Sequence, residues 1–344
     1  MRARQLLPWA VVSLALAGVA WWVLGRQASP SAPEAGPALP GLDARMEALE
    51  GIEVRGAGDT LLVSLRKVDG RWEEAGHPGW PSNEREISRA LFRLAEARRV
   101  EPKTDDPALY ARLGVEDIAD AQAKSTELRL LGGGEPLRLV VGRNHPGLGG
   151  SYARLAGEAR AWLLDADLSP ARNPVDWLDR RIIDLPLARI ERVRVEPARG
   201  RRFMLTRRDQ AFLVDGQAPA SAEDAVATAA VPEQLALDGV AADDGTDAER
   251  RHVFESVDGV ALTIASWKGE GGTWARLSVS LDEEAALAWF ARAGENADSP
   301  EQRLEALRGQ VADWQSRFEG HRFLLPAQKA ANLLRERADF LGAR

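Results

Sequence analysis

The side chains with the most chemical potential stand in KTDDPALYARLGV, residues 103–115, where Lys103, Thr104, Asp105 and Asp106 run in succession ahead of Tyr110 and Arg112. A lysine beside two carboxylates is material for acid–base work or for a hard-cation site. The same letters also spell a short helix. Asp106 falls at an N-cap position, Pro107 at the first helical position and Gly114 just past the end, the expected asymmetry of helix start and stop. The capping reading is the stronger, with Lys103 and Asp105 as solvated neighbours.

A second stretch, RNPVDWLDRRIIDLP at 172–186, gathers Asp176, Asp179, Arg180 and Arg181 around Trp177. It could bind an anion or hold a carboxylate pair. A turn of helix whose acids pair with its own arginines, with Trp177 anchored in the core, accounts for the same residues and is preferred. Glycine clusters at 132–134, 147–150 and 269–272 lie between strand-like runs and lack phosphate-loop spacing, so they read as hairpin turns. His77, His145, His252 and His321 are far apart with no H-E-x-x-H pairing, and no G-x-S-x-G elbow occurs. No catalytic, cofactor-binding or metal-ligating residue is assigned from the sequence.

Ten arginines crowd residues 180–208, alternating with Ile190, Val193 and Val195 as the wet face of a half-buried strand would. An anionic partner is the sharper alternative for that block. Eight tryptophans lie beyond residue 24, and Trp72, Trp162, Trp267 and Trp274 sit in alternating strand patterns that favour core packing over a sugar platform.

These residues need elements to position them. At 344 residues the chain is long for one compact domain. Its 45 basic and 52 acidic side chains give a net charge of −7, unlike the basic footprint of a nucleic-acid binder. The absence of cysteine removes disulfides, thiolate nucleophiles and cysteine zinc sites. Arg2 and Arg4 precede an uncharged run over 6–24 that ends near Trp21 and Trp22. Such a run spans roughly 28 Å, close to the hydrocarbon thickness of a bilayer. It reads as a retained single-pass anchor over residues 1–26 with a cytoplasmic N-terminus. Residues 27–41, rich in proline, alanine and glycine, read as a tether.

The expected fold is α+β: duplicated, mostly antiparallel sheet-plus-helix units over 42–183 and 184–282, then a C-terminal helical segment over 283–344. The first unit opens with a hairpin turning at Asp69-Gly70, followed by a helix after Ser82 as N-cap. RFMLTRRDQAFLVDG at 202–216 overlays LVSLRKVDGRWEEAG at 62–76 without a gap, matching Asp209 to Asp69 and Phe212 to Trp72. SAEDAVATAA then follows as SNEREISRAL does, and TWARLSVS at 273–280 echoes SYARLAGE at 151–158. A period this long points to domain duplication. At the C-terminus, Ser299-Pro300-Glu301-Gln302 forms a capping-box pattern ahead of an apolar stripe through Leu304, Leu307, Val311, Trp314 and Phe318. HRFLL then reads as a strand, and one last helix starts at Pro326.

VDGRW, KTDDPALYARLGV, the strand ending LVVGR, SYARL with WLLD, VDWLDRRIIDLP and the closing GHRFLLPAQKAANLL together resemble the bacterial family called domain of unknown function 4340, over roughly 60–340. The resemblance implies an N-terminally anchored protein of Gram-negative bacteria associated with an ABC-type export or gliding-motility-like system, and it carries over no catalytic residue. The second copy lacks a D-P-x-x-Y-x-x-L-G equivalent. The expectation is a non-enzymatic accessory protein without cofactor, held in the inner membrane through residues 6–24. Its ectodomain would face the periplasm and dock on transporter subunits or an envelope component, with no nucleic-acid partner. The alternative is an envelope-polymer or anionic-lipid binding module. If the anchor is retained, the intact mass of membrane-extracted protein should match the chain from Met1; a species beginning near Trp21 would show cleavage instead.

Overall fold

The computed structural model describes residues 36–292 and 298–342, so the apolar run 6–24 and most of the tether lie outside the described residues. Among the described residues no helix is long and apolar enough to cross a membrane. Two compact units are present. One holds the described residues up to 62 together with 88–170, and the other holds 63–87 together with 171–342.

The first sheet uses β1 (Gly51–Gly56), β2 (Thr60–Val68), β3 (Arg71–Glu74), β4 (Arg99–Pro102), β5 (Thr126–Leu131), β6 (Leu137–Asn144), β7 (Ser151–Leu155) and β8 (Ala161–Leu164). Helix α1 (Glu84–Glu96) lies between β3 and β4 in the chain. The strand order is β3-β2-β1-β5-β6-β7-β8-β4. After β9 (Arg181–Ile183) come β10 (Ile190–Glu196), β11 (Phe203–Arg208), β12 (Ala211–Val214), α2 (Ala222–Ala229) and β13 (Leu235–Ala236). β14 (Gly239–Ala242), β15 (Arg250–Ser256), β16 (Val260–Gly269) and β17 (Gly272–Leu281) follow. The chain closes with α3 (Glu283–Arg292), α4 (Pro300–Phe318), β18 (His321–Leu324), α5 (Ala327–Leu333) and α6 (Arg337–Leu341). The second sheet has the order β12-β11-β10-β15-β16-β17-β18-β14. Position by position it repeats the first, with α3 and α4 inserted before the strand equivalent to β8. β9 and β13 pair separately.

Alternation explains the strands. In β16, Val260, Leu262 and Ile264 are buried, and across the antiparallel ladder Leu262 faces Val279 while Ile264 faces Leu277. One side of the pleat therefore feeds a core completed by Ala225 and Ala229 of α2, Leu304, Leu307, Val311 and Phe318 of α4, and Leu333 and Phe340. The stripe foreseen in α4 is that core face, and its capping box is present, with Gln302 N donating to Ser299 Oγ at 3.3 Å and Ser299 N donating to Gln302 Oε1 at 2.8 Å.

The matched turns hold. Asp69 and Gly70 have φ of 50° and 80°, the all-positive signature of a tight type I′ hairpin, and Asp209, at φ 56°, turns β11 into β12. Trp72 and Phe212 are both buried at the second position of the returning strand. SYARL and TWARL fall in β7 and β17, which hold the same place in their sheets.

Three details correct the reading from sequence. Ser82 does not cap α1: Asn83 Oδ1 accepts from Glu86 N at 3.1 Å, while Ser82 is drawn into an antiparallel bridge with Leu178. The folded chain starts before the end of the expected tether. Ala38, Leu39 and Leu42 are buried, and Ala38 N donates to Ala97 O at 2.8 Å while Arg99 N donates to Gly36 O at 2.9 Å. That pairing satisfies backbone groups at the start of edge strand β4, which outweighs the low apolar content of the segment. Finally, the single last helix is two. α5 ends at Leu333, and Glu336 starts α6 in a capping box with Asp339.

Glycine requirements differ sharply along the chain. A Cβ on Gly150 would lie 1.8 Å from Leu164 O, whereas one on Gly309, exposed in α4, meets nothing. Denaturant melts should show Gly150→Ala losing about 1–3 kcal/mol or more through forced backbone displacement. Gly309→Ala should gain about 0.5–1 kcal/mol.

Candidate functional site

The 103–115 stretch is spent on its own backbone. Asp106 Oδ1 accepts from Ala108 N at 3.0 Å, Pro107 opens the turn, and Gly114 closes it at φ 71° with its N–H on Tyr110 O at 2.8 Å. Tyr110 is buried, its hydroxyl donating to Ala159 O at 2.6 Å and its ring lying under the Arg154 guanidinium at 4.8 Å. Lys103 pairs with Glu101 at 2.7 Å, and Asp105 pairs with Arg160. The cluster that looked chemical is a cap flanked by surface ion pairs.

In the 172–186 stretch, Asn173 Oδ1 accepts from Val175 N at 3.2 Å, Pro174 starts a 3-10 turn, and Trp177 is buried with its indole N–H on Ala171 O at 3.0 Å. The ion pairs are not local, however. Asp179 binds Arg317 at 2.7 Å and Arg180 binds Asp238 at 2.7 Å, partners more than fifty residues away in sequence. A turn this short points its side chains outward, so tertiary neighbours claim them.

Those pairs surround a residue that sequence reasoning passed over. Trp80 is 1% exposed, and its indole N–H donates to Asp179 O at 2.8 Å. The Arg317 guanidinium covers its face at 4.8 Å, and His321 and Phe323 meet its ring edge-on at 5.5 and 5.2 Å. The only hint in HPGWP was a bulky aromatic held between turn-forming residues.

The four histidines do not converge, and among the described residues no group of three or more His, Asp or Glu side chains could hold a metal ion. His77 Nδ1 meets Glu74 Oε2 at 2.6 Å. Burial pushes the Glu74 carboxyl up, but hydrogen bonds from His77, Ser64 N and Gly76 N outweigh it and hold the group below the usual carboxylate range. His145 Nδ1 accepts from Gly147 N and Leu148 N at 3.1 and 3.0 Å. His252 is 1% exposed on β15, stacked at 6.2 Å on Phe254. Burial, helped by the nearby Arg250 charge, pushes its pKa down to about 3. It is a neutral core histidine.

Most arginines of the 180–208 block are engaged. Arg189 pairs with Asp258, Arg192 and Arg194 share Glu255, and Arg207 donates to Ile190 O and Leu187 O. The tryptophan expectation needs one correction. Trp267 is buried, as expected, and Trp274 only half-buried; opposite each other in the β16–β17 ladder, both lie on the sheet face away from the main apolar cluster of the second unit, each covered by a guanidinium, Arg276 at 5.2 Å and Arg322 at 4.8 Å. Stacked arginines occupy the ring faces that a sugar would use.

Two clefts are present in the second unit. One of about 350 Å³ lies between the end of α4 and β17, where Arg276 and Asp243 pair at 3.3 Å beside Gln315, Glu319 and His321. The other, of about 270 Å³, lies at the β10–β11 connection among Glu196, Gly200, Arg202, Glu249, Arg250 and Arg251.

Two sheets of one strand order, each with a helix after its hairpin, define an α+β protein with repeated antiparallel sheet units. The family model described as Domain of unknown function (DUF4340) matches residues 72–250, and the chain belongs to that family. Neither the curated proteins nor the solved structures contain a significant match.

Two outcomes follow from these environments. Asp106→Ala should cost about 1 kcal/mol in thermal or urea melts and Asp106→Ser much less, because serine also caps. Asp105→Ala and Lys103→Ala should each stay within about 0.5 kcal/mol. A stable Asp106→Ser protein that has lost function in complementation would instead mark a chemical carboxylate. For His252, the folded-state pKa lies below the unfolded value, so its contribution is complete above about pH 6.5 and is lost as pH falls toward 3. Between pH 7.5 and 5 the wild type should lose about 2 kcal/mol more than His252→Leu in urea melts.

Proposed function

We propose that this protein is a non-enzymatic accessory subunit, anchored in the bacterial inner membrane through residues 6–24 with its sheet-rich part in the periplasm. There it docks on subunits of an ABC-type transport or gliding-motility-like system, or on an envelope component. The observation that carries this reading is the use made of its reactive side chains. The carboxylates, lysine and arginines of 103–115 and 172–186 cap turns and form ion pairs within the fold. Two repeats of one large sheet then act as a scaffold that presents surface. The uncharged, tryptophan-ended run at 6–24 supports the placement at a membrane.

Affinity capture of the tagged full chain from detergent-solubilised membranes, under cross-linking, tests the proposal. Polytopic membrane subunits together with a nucleotide-hydrolysing subunit, or a defined envelope component, should be recovered in fixed ratio. Recovery of the chain alone, or its presence in the cytosolic fraction, would overturn the reading.

A further inference from the structure

We infer that the cleft between the end of α4 and β17 receives a tyrosine side chain from a partner polypeptide. The repeated sheet plan supplies the reason. The β7–β8 and β17–β18 ladders correspond through Ala153 opposite Trp162 and Ala275 opposite Phe323. By that register Arg276 stands where Arg154 does, Glu319 where Glu158 does and Gly320 where Ala159 does. In the first copy the place beside these residues is filled. Tyr110 lies with its ring under the Arg154 guanidinium at 4.8 Å and donates its hydroxyl to Ala159 O at 2.6 Å. In the second copy Arg276, Glu319 and Gly320 line an open cleft of about 350 Å³.

What removes the tyrosine is the shortness of one connection. Tyr110 belongs to residues 103–125, between β4 and β5, whereas the matching connection, 243–249, holds no aromatic residue. That loop gives Arg276 two partners, Asp243 at 3.3 Å and Thr246 O, which hold the guanidinium in place. Trp267 does not take over the role. It corresponds to Gly142, one residue past the pairs Val141–Ala153 and Ser266–Ala275, and a Cβ on Gly142 would lie 2.4 Å from Leu113 O. The indole therefore stands where the end of the turn passes in the first copy. It covers one face of Arg276 at 5.2 Å, and that side chain keeps 29% of its surface exposed. Pairing of β17 with β18 also stops at Ala275, one pair short of Arg154 with Ala161 in the first copy.

The lining suits a phenol. Leu277, Val279 and Phe318 form its apolar part, and a guanidinium attracts the face of an aromatic ring. Gly320 O accepts from Asp243 N at 2.8 Å and has a second lone pair for a hydroxyl. His321 Nδ1, buried without a hydrogen-bond partner among the described residues, is a further group for it to bond. Asp243 and Glu319 repel a carboxylate, and Arg276 repels a cation, so a neutral ring with one polar tip is the side chain selected. It comes from another protein. This chain has two tyrosines, Tyr110 buried in its own turn and Tyr152 half-buried in β7. The inference rests on the accessory reading only in calling for a protein partner, and it needs neither the membrane nor a transporter.

The test titrates the full chain, in phosphatidylcholine nanodiscs, with a synthetic peptide of residues 103–115, followed by saturation-transfer NMR against empty discs. Saturable binding in the millimolar range or tighter is expected. The Tyr110→Ala peptide should bind at least about tenfold more weakly because the buried ring is lost. The Tyr110→Phe peptide, lacking only the hydroxyl bond, should bind about 2–10-fold more weakly. On the protein, Ser278→Trp changes an exposed lining residue and should block the cleft and abolish binding. Arg276→Gln should weaken binding about 3–30-fold. The peptide variants leave the protein untouched, so they decide the matter even where a protein variant melts early. Absence of saturable binding, a Tyr110→Ala peptide that binds as tightly as its parent, or full binding to a folded Ser278→Trp chain would overturn the site. None of these results alters what affinity capture recovers through other surfaces, so this inference and the accessory reading fail separately.

Discussion

The burial of Trp80 is the interaction on which the organisation of this chain turns. An indole 1% exposed needs a partner for its N–H, and the carbonyl of Asp179 supplies it across ninety-nine residues of sequence. The Arg317 guanidinium that covers the ring is itself bound to the Asp179 carboxylate, so one aspartate organises both the edge and the face of the tryptophan. His321 and Phe323, at the start of β18, complete the packing. Residues 63–87 consequently belong to the second compact unit although residues 88–170 separate them from the rest of it. Removing either half of the arrangement would leave a buried polar group without its partner, the costliest kind of loss in a core.

One sheet plan is used twice. In each copy a hairpin forms one edge, a helix follows it, and the next strand belonging to that sheet pairs at the opposite edge, β4 on β8 and β14 on β18. That return joins distant parts of the chain and makes each sheet a cooperative object. The second copy carries α3 and α4 between its last two chain-adjacent strands, and the apolar stripe of α4 supplies Leu304, Leu307, Val311 and Phe318 to the core. The D-P-x-x-Y-x-x-L-G turn belongs to the first copy alone, so the repeats share a plan and differ in what decorates it.

Charge is handled by pairing. Aspartates and arginines that look reactive in the primary structure are drawn together over long separations, as in Asp179 with Arg317, Arg180 with Asp238 and Arg250 with Glu336. A protein whose reactive groups serve its own architecture is suited to holding and presenting surfaces, which agrees with an accessory role.

Local signals were legible because they depend on residues within one turn of each other. The cap at Asp106, the hairpin at Asp69-Gly70 and the capping box at Ser299 all follow from adjacent side chains and backbone sterics, and the residue types alone announce them. The duplication was legible too, because matching hairpins keep matching letters. Tertiary structure decided the rest. It placed Asn83 rather than Ser82 at the helix cap by pulling Ser82 into a bridge with Leu178, and it recruited residues 36–38 to an edge strand. It put Trp267 and Trp274 on the sheet face opposite the main apolar cluster, leaving Trp274 half-buried, and it chose the partners of Asp179 and Arg180. Each of these outcomes rests on a neighbour brought close by the folding of a distant segment, and alternation or charge in a sequence window carries no record of which segment that will be.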